Sequence, residues 1–406
     1  MNNALAPTTD KQRYIILDAM RGLALLGICL ANFPEFGLWT FLSHEAQEAM
    51  STAQADNVVH FLQYLFVDAK FYSIFSILFG IGFSIILNHA EERGSSGIRL
   101  FYRRMFTLLG IGILHLLLLW SGDILALYAV TGMLLPLVKN LNNRRLLTLA
   151  AVCLSLPVLL DAWQEWAGVS IASAVESAWW AKAHSYGITE ENFASWLRDA
   201  DGYHAVHQFL IQGAIERLYE FVDGHRLLKV LGLFIIGYVI GRNRLYARLA
   251  ENKSSISKTF VISLAIGLPS SILYAISATS GHLWGQPVHS ILYALSAYPT
   301  ALAYITAFCL FYLRRPKSLL FNLLSKPGRM ALTNYLLQSI LGIAIYYGIG
   351  FGLGLSMGLW QIELTAFAVF LFQILFSHFW MRYIRYGLVE WFWRMLTYCR
   401  WLNPVR

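Results

Sequence analysis

At 406 residues, with 57% hydrophobic, 15% aromatic and only 13% charged residues, the chain falls well short of the roughly 25% charged content of soluble domains. Its net charge of +8 does not point to nucleic acid, because the Lys and Arg residues sit in short clusters between apolar runs. Four cysteines, Cys29, Cys153, Cys309 and Cys399, have no paired spacing, which argues against both a disulfide framework and a metal site.

The apolar runs approach the ~20 residues a helix needs to cross the hydrocarbon layer, and they are continuous rather than alternating. The polar start, Met1 to Arg13, lacks a cleavable signal pattern, so the first span is expected to persist in the mature protein. In chain order, spans are expected near 15–38, 67–89, 104–121, 123–139, 145–162, 227–243, 257–277, 288–313, 330–353 and 361–381. The predicted fold is therefore all-α, a polytopic transmembrane bundle of about ten spans forming one membrane domain, 1–406.

Charge sets its orientation. With the N-terminus in the cytoplasm, the inward segments hold Lys11 and Arg13; Arg93, Arg99, Arg103 and Arg104; Lys139, Arg144 and Arg145. They also hold the clusters running from Arg242 to Lys258, Arg314 to Arg329 and Arg382 to Arg406. The outward loops are poor in Lys and Arg, as the positive-inside rule requires, so both termini are expected in the cytoplasm of a bacterial inner membrane. The two longer outward segments are 39–66, with His44, Glu45, Glu48, Asp56 and His60, and 163–226. The second carries Trp163, Trp166, Trp179, Trp180 and Trp196 with several acids, and Tyr203 to Phe221 has helical spacing. It reads as an extracytoplasmic cap with tryptophans at headgroup level, or as a lid over an acceptor.

Ionisable groups at membrane depth need partners or a task. On the first span Asp18 and Arg21 are three residues apart, and Asn32 follows Arg21 by about three turns, so the three share one face. That stripe serves either as a packing lock with interhelical glue or as a working surface. His115 lies about two turns below the tip of a helical hairpin whose tip is Asp123. Asp123 suits a helix N-cap; His115 is either a neutral core residue or a proton-passing one. On the ninth span Asn334 and Gln338 have the spacing of interhelical amides, while Arg329 and nearby Lys326 could meet phosphates. Glu363 and His378, near opposite span ends, are further candidates. There is no P-loop, nucleotide-fold glycine fingerprint, HExxH or cysteine metal pattern. The glycines of FGIGF (79–83) and GIGFGLG (348–354) read as small-residue packing positions.

Five stretches taken together carry a resemblance: LDAMRGLALLGICLANF (17–33), KFYSIFSILFGIGFSIIL (70–87), GIGILHLLLLWSGDILALYAVTG (110–132), GRMALTNYLLQSIL (328–341) and RYGLVEWFWRMLTY (385–398). They resemble the YeiB-like family of bacterial inner-membrane proteins over almost the whole chain. More distantly, the first span is similar to the start of the transmembrane acyl-transfer superfamily. Its members include acyltransferase family 3 and heparan-α-glucosaminide N-acetyltransferase. The resemblance implies an acyl group taken from cytoplasmic acyl-CoA and delivered to a glycan or small-molecule acceptor outside. Acyltransferase family 3 has Arg, ten residues, then a catalytic His; here Arg21 is followed at that spacing by Asn32. The glucosaminide enzyme has Asn there and its His in the following loop, where His44 stands twelve residues past Asn32.

On this reading His44, then His115, is the candidate general base, Asn32 orients the acyl carbonyl, and Arg21, Lys326 and Arg329 face the CoA phosphates. The alternatives are a secondary transporter using the Asp18–Arg21 pair and His115 as a relay, and a non-catalytic scaffold. No internal repeat of the inverted-repeat kind supports the transporter. The expected surroundings are a lipid bilayer, without nucleic acid or metal; oligomeric state stays open.

Overall fold

The computed structural model describes residues 13–92 and 96–405. Lys11, Arg93 and Arg406, part of the charge pattern above, lie outside the described residues. Among the described residues the chain is helical throughout, apart from one isolated antiparallel bridge, Ile384 to Val405.

The first half contains α1 (Ile15–Phe36), α2 (His44–Glu48), α3 (Ala53–Phe66), α4 (Lys70–Glu91), α5 (Gly97–Leu118), α6 (Leu125–Gly132), α7 (Leu135–Val138) and α8 (Asn143–Ala167). A cap of α9 (Ser173–Ser185), α10 (Phe193–Trp196) and α11 (Tyr203–Asp223) follows. The second half contains α12 (Arg226–Arg242), α13 (Lys253–Thr279), α14 (Gln286–Arg314), α15 (Leu319–Arg329), α16 (Ala331–Tyr346), α17 (Leu359–Tyr383) and α18 (Leu388–Tyr398). Seven helical segments among the described residues are long and apolar enough to cross a membrane, and up to eight if α11 and α12, bent by 65°, form one span. This is a polytopic helical membrane bundle.

Each of the ten expected spans falls on a helix, but their lengths are unequal. The expected span 123–139 is split into α6 and α7, with Pro136 in the first turn of α7, where its missing N–H costs nothing. The expected span 330–353 ends at Tyr346, because the following glycines turn the chain back. Gly352 has φ +65°, and a Cβ on Gly348 would lie 2.3 Å from the Arg198 carbonyl oxygen. The Gly348 N–H donates to the Leu197 carbonyl at 2.9 Å, which pins this turn to the cap. The segment 39–66, expected as a loop, is largely helical: α3 packs on α13 and α17 and forms one apolar stretch with α4. The two part at Ala69, where the backbone is left-handed (φ +62°). α5 begins at Gly97, seven residues before the expected span, capped by Ser96, so Arg99, Arg103 and Arg104 are helical.

α1 lies at the centre, against α4, α14, α15, α16 and α17. Lipid is as apolar as leucine, so helices associate there through close packing and small residues rather than through the hydrophobic effect. Gly22 and Gly328 show this: a Cβ on Gly328 would lie 1.8 Å from the Asp18 carbonyl oxygen, and one on Gly22 2.0 Å from that of Leu324. Only with both glycines can α1 and α15 touch backbone to backbone, which brings Asp18 and Arg21 beside Arg329. Gly80 does the same for α4 against Phe234 of α12, whereas Gly82 faces open space in a cavity.

The cap divides its tryptophans. Trp179 stacks on Trp180 and Tyr219 and donates its N–H to Gln212, and Trp196 donates to the Ala205 carbonyl. Trp163 and Trp166, at the end of α8, are exposed, Trp166 at 84%. Only this pair offers rings to an interface; the others hold the cap together.

Candidate functional site

A cavity of about 700 Å³ runs through the bundle alongside α1. One end is basic. Arg13, Arg21, Arg104, Arg329 and Arg394 line it, together with the carboxylates Asp18 and Glu390. Asp18 is bracketed: Arg13 donates to both its oxygens at 3.0 and 3.1 Å, and Arg21 donates at 2.9 Å. Glu390 is buried and accepts the Leu332 and Thr333 N–H groups at 2.7 and 3.1 Å, along with the Thr333 hydroxyl. It therefore satisfies orphan donors at the start of α16. Burial raises its pKa above the ordinary carboxylate value, and the hydrogen bonds from Thr333 oppose that only in part.

Both carboxylates are thus committed to structure. Arg104 sits 3.8 Å from the centre of the Trp393 ring, and Arg394 lies 4.9 Å from that of Tyr386. Aromatic rings hold a guanidinium in place without cancelling its charge. Burial, then the nearby Arg13, pushes the Arg394 pKa below its ordinary value. The balance leaves a half-enclosed mouth with surplus positive charge and several planar donor forks, an arrangement suited to phosphate oxygens.

Deeper in, the cavity wall includes Asn32 of α1, Asp123 and Tyr335. Behind it lies a buried polar array. His115 Nδ1 is 2.9 Å from Asp123 Oδ2, and His115 Nε2 is 2.9 Å from Ser339 Oγ. His115, Asp123 and Ser339 are each 1% exposed. A carboxylate only accepts, so Nδ1–H donates to Asp123, and the Nε2 lone pair accepts the Ser339 O–H. Asp123 also accepts the Ala126 N–H at 2.8 Å, so it caps the start of α6 while orienting the histidine.

A second chamber of about 360 Å³ adjoins the cap and is lined by Glu35, Glu216, Glu220 and Arg217. Ala31 and Arg217 belong to the walls of both spaces. Arg217 donates to the Ser121 carbonyl at 2.9 Å, to Glu220, and to Glu35 at 3.2 and 3.4 Å.

The sequence candidates therefore scatter. Asp18, Arg21, Asn32, Asp123 and Arg329 line the large cavity; Lys326, half-buried on α15, does not. His44 is exposed at the start of α2 and is not a lining residue. The Asn334 amide donates to Pro327 and Ser377, and Gln338 donates to Gln373, tying α16 to α17 and α15. Glu363 accepts from Gln63 between α3 and α17, and His378 Nδ1 donates back to the Ile374 carbonyl. Sequence reasoning missed Arg13, Arg104 and Arg394 as cavity residues, and it missed Ser339. A signal was present: Trp393 and Arg394 lie in RYGLVEWFWRMLTY, and Arg329 and Ser339 lie in GRMALTNYLLQSIL. Glu390 joins these two stretches at the α16 cap. Among the described residues, no group of three or more His, Cys, Asp or Glu could hold a metal ion.

Comparison with known proteins matches residues 240–400 to a family described as "Protein of unknown function (DUF418)". The chain is 28% identical to "Uncharacterized protein YxaH" of Bacillus subtilis, over 99% of this chain and 98% of that one. It is 30% identical to "Uncharacterized protein YeiB" of Escherichia coli, over 95% of this chain and 96% of that one. A third relative, "Uncharacterized 39.9 kDa protein in amylase 3'region" of Bacillus acidopullulyticus, is 28% identical over 97% and 96%. The chain belongs to the YeiB-like family.

Proposed function

We propose that the chain is a membrane-embedded acyltransferase that takes an acyl group from acyl-CoA at its basic end and passes it to an acceptor on the capped side. In this reading the basic end and both termini face the cytoplasm, and the membrane is the bacterial inner membrane. One observation carries the proposal: a single cavity joins the arginine mouth to the wall formed by Asn32 and Asp123, directly in front of the buried His115. The mouth offers Arg13, Arg21, Arg104, Arg329 and Arg394 to the phosphates. From Arg104 to His115 is eleven residues along α5, roughly 16 Å at the helical rise. A long flexible thioester arm bridges such a depth.

His115, held by Asp123 in the tautomer that leaves the Nε2 lone pair as an acceptor, is the general base. Asn32 supplies an amide to the acyl carbonyl. His44, exposed and away from the cavity, is displaced from first place in favour of His115.

Titration of purified protein with acetyl-CoA, followed by calorimetry, tests the reading. Saturable binding that weakens in Arg104→Ala and Arg394→Ala supports it; no binding by the wild type sinks it. A second reading, a transporter with alternating access, draws on the two chambers on either side of Arg217. Uptake into proteoliposomes that is abolished by Asp18→Asn would put it ahead.

A further inference from the structure

Acyl transfer across a membrane leaves one chemical question open: which nucleophile His115 deprotonates. Both ring nitrogens are already engaged, Nδ1 by Asp123 and Nε2 by Ser339, each at 2.9 Å. An acceptor arriving from the capped side finds no ring nitrogen to which it can give a proton unless Ser339 moves away. In the arrangement present, the hydroxyl within reach of the base is that of Ser339.

Resting on the acyltransferase reading, we propose that Ser339 is the nucleophile of a double displacement and carries the acyl group as an ester between donor and acceptor. The three residues form a carboxylate–imidazole–hydroxyl relay, with two hydrogen bonds in the range that activates a serine. Its members come from three places in the chain: His115 on α5, Asp123 at the start of α6, and Ser339 on α16. The separation of 224 residues between His115 and Ser339 makes the meeting a product of the fold.

In the first half-reaction the Ser339 Oγ attacks the thioester carbonyl and its proton passes to His115 Nε2. The carbon–sulfur bond breaks, the sulfur takes that proton, and free CoA leaves through the arginine mouth. In the second half the acceptor hydroxyl or amine attacks the Ser339 ester and gives its proton to Nε2. The ester bond breaks and the proton returns to Ser339 Oγ. Atoms and charge balance, and no further reactant is needed.

Access runs past Tyr335. This residue sits one turn before Ser339 on α16, belongs to the cavity wall, and has its ring 5.2 Å from that of His115. Its hydroxyl reaches the Gly122 carbonyl at 3.4 Å, the long end of a hydrogen bond. The proposal requires that ring to turn aside, so that the buried Ser339 meets the cavity. A covalent carrier at this depth also separates the two substrates in time, so the bulky donor need never share the site with the acceptor.

The test uses the full-length protein in detergent or nanodiscs with acetyl-CoA and no acceptor. The expected result is release of about one equivalent of CoA thiol, with acetyl mass on the Ser339 peptide that hydroxylamine removes. Ser339→Ala abolishes both while unfolding within a few degrees of wild type. Ser339→Cys retains a burst, now as a thioester. His115→Gln slows the burst by about a hundredfold or more. Acetyl-CoA binding without an acetylated Ser339, together with transfer to hydroxylamine by Ser339→Ala at the wild-type rate, overturns the serine and leaves the acyltransferase reading standing. Absence of acetyl-CoA binding overturns both.

Discussion

The two spaces beside α1 use the same ions in opposite ways. In the large cavity the arginines outnumber Asp18 and Glu390, and rings rather than carboxylates hold Arg104 and Arg394. In the chamber under the cap the carboxylates Glu35, Glu216 and Glu220 outnumber Arg217, whose guanidinium is used up within the protein. One end keeps a surplus of positive charge. The other is closed by its own ion pairs. Since Ala31 and Arg217 wall both spaces, the closed pair stands where the two would otherwise meet.

The sharpest break of this contrast is electrostatic. Arg104→Ala with Arg394→Ala should weaken acetyl-CoA binding by about a hundredfold, since a hydrogen bond to a charged group contributes ~1.5–3 kcal/mol. Glu216→Gln under the cap should leave it within about twofold. Calorimetry on both variants checks this, and equal losses would erase the distinction between the two ends.

Shape comes next. Gly328→Ala puts a methyl 1.8 Å from the Asp18 carbonyl oxygen and pries α15 from α1. Overpacking of this kind costs about 1–3 kcal/mol, so a clear fall in the thermal midpoint is expected along with a disturbed arginine mouth. Gly82→Ala, on the cavity wall with nothing within 4 Å, should be near neutral. The acidic chamber should not respond to either.

The closed divider can be probed from Ala31. Cys29, Cys153 and Cys309 are buried and Cys399 is exposed, so Ala31→Cys in a Cys399→Ser background gives one reporter thiol. Glu35→Gln with Glu220→Gln should speed its labelling by an impermeant maleimide from the capped side by about fivefold. That is the effect of roughly 1 kcal/mol on a closed-to-open equilibrium. Unchanged labelling would mean that the Arg217 pairs do not separate the two spaces.

Legibility followed the physics at each level. Lipid forces long apolar helices, and seven segments, or eight with α11 and α12 taken together, meet that length where ten spans were expected; helical periodicity alone placed Asp18, Arg21 and Asn32 on one face that the cavity then uses. Span lengths were less legible, because Pro136 and the glycines after Tyr346 act through turns and cap contacts. Arg104 and Arg394 were visible only as topology charges; it takes Trp393 and Tyr386, distant in sequence or on a turn, to make them a site. Ser339 was marked only by lying in GRMALTNYLLQSIL, since a serine in an apolar helix is ordinary and its partner lies on α5. His44 shows the converse: the resemblance put it forward in the loop after the first span, and the fold leaves it at the surface, outside the cavity wall.

The smallest expected effect is a difference in sign between the ends as pH changes. Glu390 at the basic end is raised by burial above its ordinary value near 4.5, so the folded state holds that proton more tightly than the unfolded chain. Its contribution is complete below about that value and is lost as pH rises through the raised one. Asp199 in the cap is lowered from 3.8 by the hydrogen bonds from Arg198. Its contribution is present above the ordinary value and is lost as pH falls through the lowered one. Hydrogen exchange at the Leu332 and Thr333 amides, which Glu390 holds, should therefore quicken with rising pH beyond the intrinsic trend. Glu390→Gln, with no proton to lose, should follow the intrinsic trend alone. Identical profiles for the two proteins would mean that proton loss from Glu390 does not loosen the α16 cap, and the difference in sign between the ends would fall.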